Sequence, residues 1–217
     1  MLPSTTIVVV SSGWPTRLIR DSIGSGSGHS GPAFRGQCLQ TPHHHLASGP
    51  LAVIVMGVSG SGKSTLGGAL GAALGCPFFE GDDYHADAAV AKMRAGHALT
   101  DADRWPWLDR LGAAIGAAVA QQGLAVAACS ALRRAYRERL VQAIGAPTRF
   151  VLLDTGREEL RRRIAGRPLH YMPPTLLDSQ LDTLEPPGAD EPATTLAADA
   201  PVPVLCTEVL DWIGAAR

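Results

Sequence analysis

The sequence predicts a three-layer α/β/α domain, with a five-stranded parallel sheet covered by helices on both faces. Three observations predict it. From residue 51 short apolar runs alternate with amphipathic stretches, a glycine-rich loop joins the first run to the first helix, and clusters of acidic and basic residues follow the later runs. Strands that alternate with helices need right-handed crossovers, which bring the carboxyl ends of the strands to one edge of the sheet. Ligands of open α/β sheets collect at that edge, so the chemistry is expected there.

The first strand is expected over 51–56. It runs directly into Gly57-Val58-Ser59-Gly60-Ser61-Gly62-Lys63-Ser64-Thr65, a complete G-x-x-x-x-G-K-[ST] loop that opens a helix over 63–74. Such a turn aims backbone N–H groups and the positive end of a helix dipole at one point, which suits a polyphosphate. Glycines allow close backbone approach, Lys63 neutralises the β and γ phosphates, and the Ser64 hydroxyl can ligate Mg2+. The ligand expected here is a nucleoside triphosphate with Mg2+.

Further strands are expected over 77–79, 125–129, 149–153 and 194–198, and further helices over 85–95, 105–122, 132–144, 157–164, 175–183 and 205–215. Residues 1–49 lack either periodicity. They carry Gly24-Ser25-Gly26-Ser27-Gly28, scattered prolines and His43-His44-His45, and are read as a disordered tail ahead of a domain over 50–217.

Bulk properties narrow the function. A chain of 217 residues suits one domain, and a formal net charge of -1 gives no sequence-wide attraction to nucleic acid or an anionic membrane. The four cysteines, Cys38, Cys76, Cys129 and Cys206, form no C-x-x-C pair, which argues against zinc and suits a reducing cytosol. No apolar run reaches the roughly eighteen residues of a membrane span, and Ile7 to Val10 is too short for a signal-peptide core. A cytoplasmic location is expected.

After the second strand comes Glu80-Gly81-Asp82-Asp83-Tyr84-His85. Glu80 and Asp82 can face the loop, hold metal-bound waters and orient or deprotonate an attacking hydroxyl, while Asp83 reads equally well as a helix cap. After the third strand, Arg133 and Arg137 are one helical turn apart and form a fork for an anion. Trp105 and Trp107 read as packing residues beside Arg104, an anion-binding candidate. Arg163 and Arg167 share a helical side and lead into a Pro- and Gly-broken stretch with His170, read as a lid that excludes water and brings cationic charge to the phosphoryl group.

Five segments occur in register: G-V-S-G-S-G-K-S, then G-D-D-Y-H with Lys92-Met93, L-T-D-A-D-R-W-P-W-L, C-S-A-L-R-R-A-Y-R, and L-L-D-S-Q-L-D-T-L-E-P-P. Together they resemble the gluconokinases of the shikimate-kinase-like P-loop group, from about residue 51 to the C-terminus. The resemblance implies a P-loop kinase fold and transfer of phosphate from ATP, with Mg2+, to the 6-hydroxyl of D-gluconate. It implies Gly60, Gly62, Lys63, Ser64 and Thr65 at the ATP phosphates, Ser64 on the metal, and Glu80 near the metal waters. It further implies that Asp82 orients the acceptor hydroxyl, that His85, Arg104 and Arg137 are the candidates to grip the sugar acid, and that Arg163 and Arg167 belong to the lid helix and its edge. A homodimer is compatible with it. The chain departs from relatives in the lid, where Leu169, His170 and Tyr171 stand in place of glycine, histidine and phenylalanine. Other readings of the residues are a kinase for shikimate or a nucleoside monophosphate and a nucleotide-gated switch, although no N-K-x-D guanine-reading motif is present.

Overall fold

The computed structural model describes residues 49–165 and 174–215, with side chains from 177 in the second stretch. Among these residues the chain runs β1 (Leu51–Met56), α1 (Lys63–Leu74), β2 (Phe78–Glu80), α2 (Asp87–Arg94), α3 (Asp101–Gln122), β3 (Leu124–Ala128), α4 (Arg134–Ile144), β4 (Thr148–Asp154), α5 (Arg157–Ala165), α6 (Pro174–Thr183), β5 (Ala193–Ala197) and α7 (Val202–Ala215). A one-turn 3-10 helix, Gly81–Tyr84, follows β2. The tail expected over 1–49 falls outside the described residues except for Gly49, as do Arg167, Leu169, His170 and Tyr171 of the expected lid.

The five strands form one parallel sheet in the order β2-β3-β1-β4-β5. β1 lies at its centre, and none of its six residues is more than 5% exposed. Because successive side chains of a strand point to opposite faces, Ala52, Ile54 and Met56 enter one apolar layer and Leu51, Val53 and Val55 the other. α3 and α4 cover the first face through Leu108, Leu111, Ile115 and Leu140. α1 and α7 cover the second through Leu66, Leu70, Leu205, Val209 and Ile213. Each such aliphatic side chain contributes about 1.5–3 kcal/mol when fully buried, so these two layers hold the sheet as a rigid platform.

Strand positions match the sequence expectation to within a residue at each end, whereas some helix starts do not. α3 begins four residues before the expected start at 105, because Thr100 and Asp103 form a reciprocal capping box: Asp103 N–H donates to Thr100 Oγ1 at 3.3 Å and Thr100 N–H to Asp103 Oδ2 at 2.7 Å. Pro106 therefore sits inside the helix. α2 starts at Asp87 rather than 85, with Ala86 at its cap, so Asp83 does not cap it and instead lies in the 3-10 turn. Among the described residues no helix is long and apolar enough to cross a membrane.

Candidate active site

The carboxyl edge of the sheet gathers the loop after β1, Glu80 at the end of β2, Ser130 just beyond β3, and Ala198 just beyond β5. Two glycines make this edge possible. Gly57 leaves β1 with φ +139, and a Cβ there would stand 2.9 Å from the Leu153 carbonyl oxygen. A Cβ on Gly81 would stand only 2.4 Å from the carbonyl oxygen of Ala128. Without a side chain, Gly81 lets the 3-10 turn press against β3, which carries Asp82 and His85 toward the loop.

The loop wraps the start of α1. Gly62 is the cap residue, in the left-handed region, with no side-chain cap bond, and the first turn of α1 holds no acidic residue. The helix dipole is therefore not countered locally, and its N-terminal N–H groups are suited to an anion. Lys63 Nζ donates to the Val58 carbonyl at 2.9 Å, which folds the ammonium back over the loop. The loop rests on α5 and α6, since Val58 packs with Leu132, Leu160 and Leu177, with Ile164 against the same cluster.

Across from the loop, the Ser64 hydroxyl hydrogen-bonds the Glu80 carboxylate. Burial raises the pKa of Glu80, opposed by that bond; the charge of Asp82 raises it further and that of Lys63 lowers it. A hydroxyl and two carboxylates beside the phosphate loop form a set of hard oxygen donors, the chemistry that suits Mg2+.

A cleft opens between the loop and α3. Ser59 and Lys63 line one side, and Asp82, His85, Arg104 and Trp107 line the other. Trp107 is 2% exposed and donates its indole N–H to the Gly81 carbonyl at 2.7 Å. The His85 ring stacks on it at 4.1 Å between centroids. His85 Nε2 lies 4.0 Å from Asp82 Oδ1, and its Nδ1 is buried with no hydrogen-bond partner among the described residues. Burial lowers the His85 pKa below 6.5, opposed by Asp82 and reinforced by Arg104 and Arg110, so the imidazole is neutral at pH 7. Arg104 reaches the cleft from the first turn of α3, its Nη1 donating to the Tyr136 hydroxyl at 3.1 Å.

The expected Arg133 and Arg137 fork does not form. Arg133 precedes α4 and turns to Asp101 at 3.2 Å, above the Tyr136 ring. Arg137 is 1% exposed. Its Nε and Nη2 donate to the two carboxylate oxygens of Glu191 at 2.5 and 2.8 Å, and its Nη1 donates to the carbonyls of Ala131 at 3.2 Å and Glu185 at 3.0 Å. A guanidinium so enclosed presents no fork to the cleft. Its hydrogen bonds reach the turn after β3, where Ala131 takes φ +44, an uncommon value for a residue with a Cβ. Neither Arg133 nor Arg137 lines the cleft.

Arg163, expected on the lid helix, lies on α5 and reaches the phosphate loop. From α5 its Nη2 donates to the Ala198 carbonyl at 2.7 Å, its Nη1 to the Ser61 carbonyl at 3.4 Å and its Nε to Glu159 at 2.6 Å. It ties the phosphate loop to the end of β5. The cleft also contains residues that the sequence reading did not single out: His97, Ser130, and Ser179, Gln180 and Thr183 of α6. A signal existed for Gln180, a polar residue three positions after buried Leu177, on the stripe that continues through Leu181 and Leu184.

A family model described as an AAA domain matches residues 53–187. The gluconokinase of Gluconobacter oxydans is 44% identical over 161 residues, which span 74% of this chain and 90% of that relative. Among solved structures, an unliganded sugar kinase from Janibacter superposes with a TM-score of 0.70 at 39% identity, covering 76% of this chain and 95% of the other. A gluconokinase from Sinorhizobium meliloti gives 0.66 at 41% identity, covering 76% and 91%. Likeness that extends over nine-tenths of a curated relative leaves one assignment, and the chain belongs to the gluconokinase family.

Proposed function

We propose that this protein transfers the γ-phosphoryl group of ATP to the 6-hydroxyl of D-gluconate, giving 6-phospho-D-gluconate and ADP. The observation that carries the reading is one cleft that holds the loop lysine, Lys63, on one wall and Asp82, His85 and Arg104 on the other. Family membership supplies ATP as the donor and points to gluconate as the acceptor.

In-line phosphoryl transfer asks the protein for alignment and charge balance more than for covalent work. The N–H groups from Gly57 to Thr65 cradle the phosphates, and Lys63 swings from the Val58 carbonyl to the transferred group. Ser64 would hold Mg2+ directly and Glu80 through water, and the bound ion supplies neutralisation of phosphate charge. Asp82, 66% exposed in its side chain and facing the cleft, accepts the proton of the attacking hydroxyl or orients it. His85, stacked on Trp107, shapes the acceptor side of the cleft beside Asp82, and Arg104 takes the carboxylate of the sugar acid. Arg163 braces the nucleotide side of the loop. Arg167 and His170, expected to bring charge to the phosphoryl group and to the acceptor, lie outside the described residues.

A cytoplasmic location goes with this reading, since ATP is at hand there. The test is a coupled assay of ADP release with gluconate, shikimate and AMP offered separately. Release that depends on gluconate alone is expected. Equal or greater release with shikimate or AMP would assign another acceptor, and slow hydrolysis indifferent to all three would replace the kinase by a nucleotide switch.

A further inference from the structure

Arg104 is held at the edge of the cleft by a phenol from another helix. Its Nη1 donates to the Tyr136 hydroxyl at 3.1 Å, and that hydroxyl in turn donates to Asp101 Oδ1. Chemistry fixes the direction of both bonds. A guanidinium can only donate and an ionised carboxylate can only accept, so the single phenolic proton lies toward Asp101 and a lone pair of the same oxygen is left for Arg104. Burial and the bond to Asp101 raise the Tyr136 pKa above 10, opposed by Arg104 and Arg133, so the phenol keeps its proton at neutral pH. Asp101 Oδ2 accepts from Arg133 Nη1 at 3.2 Å, while Arg104 Nη1 stays 3.7 Å from Asp101 Oδ1. Two arginines thus share one carboxylate, and the cluster keeps a positive charge beside the cleft. Among the described residues, Nε and Nη2 of Arg104 make no hydrogen bond, which leaves them as donors for an anion.

Packing sets the position of the phenol. Tyr136, in the first turn of α4, is 2% exposed, with the Trp105 ring edge-on at 5.4 Å between centroids and the Arg104 guanidinium 5.3 Å above its own ring. Glycines let α3 and α4 approach closely: a Cβ on Gly112 would stand 2.5 Å from Ala143 Cβ, and one on Gly116 2.4 Å from the Ile144 carbonyl oxygen. Asp109 and Arg139, 2.6 Å apart, tie the same two helices. The hydroxyl therefore reaches Arg104 from a separate, firmly seated element. A long side chain pinned at one nitrogen gives up less conformational freedom when it takes a carboxylate.

We propose that Tyr136 is a positioning residue for the acceptor: its hydroxyl holds Arg104 off Asp101 and turns the remaining guanidinium donors to the carboxylate of the sugar acid. This rests on the gluconokinase reading above, in which Arg104 takes that carboxylate.

The test uses the full chain carrying Tyr136→Phe, Arg104→Ala or both, assayed for KM and kcat with gluconate and with ATP. Phe keeps the ring and its packing and removes only the hydroxyl. Tyr136→Phe is expected to raise the gluconate KM about 3- to 20-fold, with kcat and the ATP KM within about twofold of wild type. In the Arg104→Ala background the same substitution should move the gluconate KM by less than about twofold, because the group it positions is gone. Equal factors in the two backgrounds would make Tyr136 a packing residue that acts independently of Arg104 and would overturn the proposal. An unchanged gluconate KM in Tyr136→Phe or in Arg104→Ala, or a parallel rise in both KM values in Tyr136→Phe, would overturn it equally. If wild type shows no gluconate dependence, the kinase reading itself falls, whereas a gluconate-dependent wild type with additive or unmoved variants removes only this inference.

Discussion

The two walls of the cleft are built in opposite ways. The wall proposed for the phosphates is one continuous string, Gly57 to Thr65, which offers mostly backbone N–H groups and follows directly from the buried end of β1. The acceptor wall is assembled from the turn after β2, the first turn of α3 and α6, and it acts through side chains. A backbone binding site can be written locally, because any residue supplies an N–H and glycines supply the curvature. A side-chain site depends on which partners arrive from distant segments, so the same residue type becomes either a ligand group or part of the scaffold.

Asp82→Asn breaks this comparison at its most consequential point. The substitution keeps the shape of the acceptor wall and removes a proton acceptor, so turnover should fall about 10²- to 10⁴-fold. ATP binding, which rests on the other wall, should change by less than about twofold. Steady-state kinetics with nucleotide binding measured by calorimetry would decide it, and near-normal turnover removes Asp82 from the chemistry.

Arg104 and Arg137 put the second half of the comparison to the test. Arg137→Ala strands Glu191, whose side chain is 10% exposed, and leaves the Ala131 and Glu185 carbonyls without their donor, so the protein should lose about 3–5 kcal/mol of stability. Arg104→Ala removes a cleft-lining group and should raise the gluconate KM about 10- to 100-fold, with a loss of stability below about 1 kcal/mol. Urea unfolding and kinetics on both variants would separate them. A stable Arg137→Ala with a raised gluconate KM would restore that arginine to the acceptor site.

The same contrast explains what could be read from the sequence. Strand positions were legible because alternation and apolar runs are local, and the phosphate loop was legible because its nine residues carry the whole constellation. The start of α3 was written in Thr100 and Asp103 but masked by Pro106, which resembles a first-turn proline. Arg137 was not legible as scaffold: its spacing from Arg133 suggested a shared face, and only Glu191, 54 residues later, reveals that the two side chains diverge. Gln180 was hidden likewise, since its partner Ser59 lies 121 residues away.

The smallest effect concerns acid. The hydrogen bonds and charge of Arg137 hold the Glu191 carboxyl below its ordinary value of 4.5, opposed by burial and aided by the Gly188 N–H. A carboxyl depressed in the folded state stabilises it fully above its unfolded pKa, and that contribution is lost as pH falls through the lower folded value. The sensitive window therefore lies below about pH 4.5. At neutral pH Glu191→Gln should melt below wild type, because Arg137 keeps its charge without an ionised partner. As pH falls through the window wild-type Glu191 takes up a proton, and the two melting curves should converge. A gap that stays constant down to acid unfolding would mean that the carboxylate charge contributes nothing to the scaffold, leaving Arg137 anchored by the carbonyls of Ala131, Leu132 and Glu185.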